Sequence, residues 1–227
     1  MKPLRVAITG GTSGLGLALV REFQRRGARV ALVARTAKAV EEVARIHQAH
    51  GIVGDVARKE DIYPIALEIT AALGGLDVLI NNASSLGPVP LALLADTECE
   101  DFARALETNL LGPFRLTKAL LGALTASARE GRGAVVLNVS SDAAINAYAQ
   151  WGAYGASKAA LRHLSAIWTE ELAAEGVRFL SHDPGDMDTP LHALALPDAD
   201  PAALKRPETA ARELADAIEE ALAKEHA

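Results

Sequence analysis

Tyr154 and Lys158 stand four residues apart in the run Tyr-Gly-Ala-Ser-Lys. On a helix this spacing puts a phenol and an ammonium on one face, with Cβ atoms about 5–6 Å apart. A tyrosine starts from a pKa of about 10. A cation beside it favours the phenolate, so the pair can give or take a proton nearer neutral pH. Pairs of this kind also lie solvated on surface helices, and chemistry requires partners. Ser141 is one candidate: it ends an apolar run, Gly133 to Val139, 13 residues before Tyr154. A hydroxyl at a strand end and a phenol on the next helix can face one cavity. No Gly-x-Ser-x-Gly elbow surrounds Ser141, which argues against an acyl nucleophile.

Composition narrows the classes. The 227 residues carry a net charge of −6 and are half apolar, with few aromatics. This suits one large aliphatic core and argues against a nucleic-acid surface. Cys99 is the single cysteine, so an intrachain disulfide and a thiolate metal cluster are both excluded. His47 and His50 have no third ligand nearby, and no metal site is expected. Neither a signal-like segment nor a run of about 18 apolar residues is visible. A soluble cytoplasmic protein that does not engage membranes is the default expectation.

The elements that must position these residues alternate along the chain. Strands are expected at Leu4 to Ile8, Ala28 to Val33, Gly51 to Val56, Leu76 to Ile80, Gly133 to Val139 and Gly176 to Ser181. Helical periodicity fills the spaces between them: Leu17 to Arg26, Thr36 to His50, Glu60 to Leu73, Thr97 to Ser127 with a kink or break at Gly112-Pro113, and the stretch around Tyr154 to about Glu175. Glu208 to Lys224 reads as a final helix. Such alternation predicts a parallel sheet with right-handed helical crossovers.

Two loops carry further chemistry. Thr9 to Gly16, with glycines at 10, 11, 14 and 16, joins the first strand to the first helix. Glycines let backbone approach an anion closely, and a helix N-terminus supplies free N–H groups. After the second strand comes Arg35 with no acid beside it. An acid there would bind a ribose 2′-hydroxyl, whereas an arginine suits a 2′-phosphate, which favours NADP(H) over NAD(H). Asn81 and Asn82 leave the fourth strand where ligands of such sheets lie, and Asn109 precedes the Gly112-Pro113 step.

Thr9 to Gly16, Asn81 to Ala83, Asn109, Ser141 and Tyr154 to Lys158, in this order and register, resemble the short-chain dehydrogenase/reductase (SDR) family. The resemblance implies an α/β fold, a Rossmann-like three-layer α/β/α sandwich with a mostly parallel sheet. It also implies a tetrad of Asn109, Ser141, Tyr154 and Lys158. Tyr154 would be the general acid in carbonyl reduction, and Ser141 would hold the substrate oxygen. Lys158 would bind the nicotinamide ribose and lower the Tyr154 pKa, while Asn109 would position a proton-relaying water. Cofactor contacts would come from Gly10, Thr12, Ser13 and Leu15, from Arg35, from Asp55 and Val56, and from Asn82 and Ala83. Tyr154 and Lys158 would add theirs, as would Pro184, Gly185, Met187 and Thr189 in a segment that resembles the family's Pro-Gly loop. Residues 186–206 would form a flap over the substrate within a single domain spanning 1–227.

The sequence also departs from the family pattern. Ser84 stands where glycine is usual after the two asparagines, and the usual seventh strand is not expected here. That absence puts a sheet-edge tetramer in doubt and leaves a homodimer through the long helices as the expectation. Ala143, Ala144, Ile145, Trp151, Met187 and Leu191 are candidate walls for an apolar aldehyde or ketone. A regulatory protein that binds NADP(H) without turnover, or a dehydratase or epimerase of the same fold, are the alternatives.

Overall fold

The computed structural model describes residues 2–223. Six aliphatic segments become strands: β1 (Arg5–Thr9), β2 (Arg29–Ala34), β3 (His50–Val53), β4 (Val78–Asn81), β5 (Ala134–Val139) and β6 (Val177–His182). All pair in parallel in the order β3-β2-β1-β4-β5-β6. The order reverses between β1 and β4, and a crevice opens outside their carboxyl ends.

Alternate side chains of β1, β2, β4 and β5 feed two cores. Val6, Ile8, Leu32, Ile80 and Leu137 face α1 (Gly14–Arg25), α2 (Ala37–His47) and α8 (Pro207–Ala223). Ala7, Val33, Leu79 and Val136 face α3 (Lys59–Leu73) and α5 (Gly112–Arg129). Burial on both faces explains why the inner strands β2, β4 and β5 read as largely apolar runs. The end expected for the last helix, Lys224, lies outside the described residues.

β3 stops at Val53, short of the expected Val56. The Asp55 N–H donates to Asp61 Oδ2 at 2.9 Å, and the Asp55 carboxylate accepts from Ala57 N–H at 3.0 Å. These bonds turn the chain into α3 and take the N–H groups a longer strand would use. The helix expected from Thr97 to Ser127 does not break. It runs as α4 (Cys99–Leu106), a π-helical turn (Glu107–Leu111) and α5. Within the turn the Gly112 N–H donates to the Glu107 carbonyl. Pro113 has no N–H, so the α-helical bond to the Asn109 carbonyl four residues earlier cannot form. A π-turn accommodates that loss without ending the helix.

Helix α6 (Gly152–Glu171) carries the phenol and ammonium pair. Its far end is fixed by a stack in which Trp168 lies 6.1 Å from Phe114 of α5 and 5.7 Å from Phe179 of β6. Beyond β6, residues 186–206 leave and return at one point: Lys205 N–H donates to Asp186 O, and Asp188 N–H to Lys205 O, both at 3.0 Å. Between them lie α7 (Pro190–Ala195), capped by the Thr189 hydroxyl, and a short 3-10 turn (Pro201–Ala203). Among the described residues no seventh strand covers β6.

Candidate active site

The turn from β1 into α1 is shaped for close backbone approach. Gly10 and Gly14 take φ values of +68° and +48°, where side chains are disfavoured. A Cβ on Gly16 would land on the Gly10 carbonyl and the Asn82 side chain, and one on Gly10 would lie 2.9 Å from Asn82 Nδ2. Asn82 occupies this space because its Nδ2 donates to Thr9 O at 2.9 Å and Gly10 O at 3.4 Å. The Thr9 hydroxyl accepts from the N–H groups of Asn82 and Ala83, each at 3.0 Å. The glycine turn and the exit of β4 are therefore one interlocked unit. It leaves a cradle of bare backbone at a helix N-terminus, which fits the pyrophosphate of a dinucleotide.

Tyr154 and Lys158 are buried on the inner face of α6. Lys158 Nζ donates to the Val139 carbonyl at 2.7 Å and lies 5.5 Å from the centre of the Tyr154 ring. Trp151 meets the same ring edge-on at 5.6 Å. Asn109 is fully buried in the π-turn. Its Nδ2 donates to Ser85 O and to Ser157 Oγ, both at 2.8 Å, while its Oδ1 accepts from Ser85 N–H at 2.8 Å and Ser84 Oγ at 3.3 Å. Ser157 Oγ in turn donates to the Tyr154 carbonyl at 2.6 Å. Ser141, just past β5, donates to Asp142 Oδ1 at 3.1 Å and accepts from Ala143 N–H at 3.2 Å.

Burial governs the protonation states. It pushes Tyr154 up to about 12, against the hydrogen-bonding influence of Ser141 and Ser84, with the Asp183 charge adding to the rise. Burial also pushes Lys158 down to about 8, opposed by Asp183. In the chain by itself, the net result is a Tyr154 above its ordinary value. The pocket that brings the two together desolvates both, and each charged form is disfavoured.

Among the tetrad, Ser141 adjoins the Tyr154 phenol, Lys158 lies against the Tyr154 ring, and Asn109 reaches Tyr154 through Ser157. The side chain of Asn109 is committed to protein partners, while its backbone carbonyl is the one that Pro113 leaves without an α-helical donor. Leu15 and Val56 are buried in the cores, which leaves only their backbones for ligand contact. Thr12 is half-buried, Ser13 is exposed before α1, and Ala83 packs beside the α3 and α5 core. Arg35 is exposed beyond β2 and makes no ion pair among the described residues. Pro184 is buried, Gly185 takes φ +78°, and the Thr189 hydroxyl accepts from His192 N–H at 3.2 Å.

Of the candidate walls, Ala143, Trp151 and Leu191 gather round Tyr154 with Leu86 and Ala195. Ala144 is only half-buried and lies outside that cluster. Met187 packs on the α1 and α8 core instead, and Ile145 is 70% exposed. Thr9 and Ser157 were missed by sequence reasoning. Their signal was a small hydroxyl inside an otherwise committed motif.

A glycine-lined cradle beside a buried phenol, ammonium and hydroxyl fits a nicotinamide-dependent oxidoreductase. The short chain dehydrogenase profile matches residues 5–200, and the chain belongs to that family as an NAD(P)-dependent oxidoreductase. It is 33% identical over 194 residues to the 2-(R)-hydroxypropyl-CoM dehydrogenase of Xanthobacter autotrophicus, covering 82% of this chain and 76% of that one. It is also 33% identical over 187 residues to the serine 3-dehydrogenase of Agrobacterium fabrum, covering 81% and 72%. A short chain dehydrogenase structure from Shigella flexneri, complexed with NADP, superposes with a TM-score of 0.84 at 26% identity, over 91% of this chain and 87% of that one. Among the described residues no helix is long and apolar enough to cross a membrane.

Proposed function

We propose that this protein is an NADP(H)-dependent reductase of apolar aldehydes or ketones, reversible as an alcohol dehydrogenase, with Tyr154 as the general acid. The observation that carries the reading is the buried phenol held between Ser141, Lys158 and an apolar wall. Bound NADPH supplies the hydride. The glycine turn and the N–H groups of α1 would hold its pyrophosphate, and Arg35, with no acid competing at the end of β2, would meet the 2′-phosphate. Tyr154 holds its proton at neutral pH, as a donor must, and gives it to the carbonyl oxygen as negative charge develops there. Ser141 orients that oxygen. Lys158 places a cation beside the phenolate that remains, and the apolar wall excludes water. The NADP complex of the Shigella relative supports the choice of cofactor. A homodimer through the long helices and a cytoplasmic home complete the proposal, and sedimentation velocity tests the first.

The deciding experiment follows NADPH and NADH oxidation against a panel of carbonyl compounds, with Tyr154→Phe alongside. NADPH consumption is expected with apolar aldehydes or ketones, and turnover falls by about 10²–10⁴-fold in the variant while NADPH binding persists. Equal or better use of NADH would remove the role of Arg35. Retained turnover in Tyr154→Phe would sink the mechanism, and product formed without any absorbance change would point to a dehydratase or epimerase.

A further inference from the structure

Ser84 closes the Asn-Asn-Ala run with a hydroxyl where the family pattern carries glycine. Its Oγ lies 3.3 Å from Asn109 Oδ1, as donor, and beside the phenol of Tyr154. We propose that Ser84 is a positioning residue, a hydroxyl rotor that points its proton at Asn109 Oδ1 while Tyr154 is a phenol and at the Tyr154 oxygen once the phenolate forms. The proposal rests on the reading of Tyr154 as the proton donor.

Three observations favour the rotor. A serine has one proton to donate, so Ser84 serves one acceptor at a time. Asn109 Oδ1 is not orphaned when Ser84 turns, because the Ser85 N–H still donates to it at 2.8 Å. The carboxamide itself cannot follow, since its Nδ2 is fixed by Ser85 O and Ser157 Oγ. Turning therefore exchanges a long neutral hydrogen bond for one to an anion, which is roughly twice as strong. Ser141 is placed differently. Its hydroxyl donates to the Asp142 carboxylate, so meeting the phenolate means giving up a charge-assisted bond. Ser84 is the hydroxyl with less to lose. No proton leaves it: the proton Tyr154 gives up goes to the substrate oxygen, and Ser84 only reorients its own.

The test compares Ser84→Ala, Ser84→Gly and Ser84→Thr in the full chain by the pH dependence of alcohol oxidation with NADP. Loss of the donor should move the midpoint of the rising limb upward by about one pH unit in the Ala and Gly variants, tenfold in rate on the acid side. The Thr variant, which keeps the hydroxyl, should stay near the parent. An unmoved midpoint in Ser84→Ala overturns the proposal, as does a Thr variant that behaves like Ala. A second readout is independent of turnover: in protein labelled with ¹³Cζ-tyrosine, the Tyr154 resonance, assigned by its loss in Tyr154→Phe, should shift in Ser84→Ala and not in Ser84→Thr. An unshifted resonance in Ser84→Ala overturns the contact, whereas retained turnover in Tyr154→Phe would overturn only the acid reading.

Discussion

At the amino ends of β1, β4 and β5, the buried Asp77 accepts from the backbone N–H and guanidinium of Arg5, from Arg132 and from Ser127, with its closest arginine contacts at 2.6 and 2.7 Å. At the carboxyl ends, Lys158 is just as buried, yet it meets a neutral carbonyl and a ring. Burial alone pushes the Asp77 carboxyl up, but Arg132, Arg5 and Ser127 outweigh it and hold the group near 2. At Lys158 burial outweighs the opposing charge of Asp183, and the pKa falls to about 8. One end of the sheet surrounds a charge to secure the fold, while the other leaves two groups short of charged partners. Only the second arrangement leaves the two groups free to serve the proton transfer proposed for Tyr154.

Lys158→Met probes this contrast most severely. Turnover should fall by about 10²–10⁴-fold, while the melting temperature at pH 7 should rise. The unfolded chain takes up a proton at Lys158 that the folded chain resists between about pH 8 and the ordinary lysine value of 10.5. Stability of the parent thus increases with pH across that window, and the advantage of the methionine variant should shrink there. A variant less stable than the parent at pH 7 would mean that the Lys158–Val139 bond outweighs desolvation, and the contrast would break.

Asp77→Asn is the converse. Leaving Arg5 and Arg132 without their partner should cost about 3–5 kcal/mol of unfolding free energy, read by urea titration, with kcat of the folded protein unchanged. A fall in kcat at full folding would show that the two ends are coupled. A milder probe is acid titration. Asp77, lowered from 3.8 to about 2, contributes stability that is present above pH 3.8 and lost as pH falls through 2. Glu22, held near 2 by Arg25 and Arg26 against burial, loses its share in a similar range. Asp77→Asn should therefore flatten the loss of stability below pH 4, measured by thermal melts, and an unchanged slope would remove Asp77 from the account. The smallest expected effect is at Arg35: Arg35→Ala should raise KM for NADPH by on the order of tenfold, the worth of one charge-assisted contact, with KM for NADH little altered.

The unequal legibility of the two ends follows the same physics. The six strands, the glycine turn and the Tyr154–Lys158 pair are local patterns, so the sequence displays them directly. The Asp77 clamp is non-local. Arg5 begins β1, while Asp77 and Arg132 stand one and two residues before β4 and β5, and they meet only because those strands are neighbours. Knowing the strand order would have revealed an acid flanked by two arginines at one level of the sheet. The π-turn was hidden because Pro113 reads equally as a break or a bulge until the buried Asn109 decides it. The burial that raises Tyr154 was not legible, because four-residue spacing reports proximity and says nothing about solvent.

The bonds from Asn82 to Thr9 and Gly10 bear on transplantation. The stretch from β1 into α1 looks like a portable cassette, a short peptide that could be moved into another parallel sheet to confer nucleotide binding. Here its curvature is held from outside by a side chain 73 residues away, in space that a Cβ on Gly16 would fill. A graft of residues 9–16 alone would carry the glycines without their brace. The smallest portable unit is discontinuous, two neighbouring strand exits moved together.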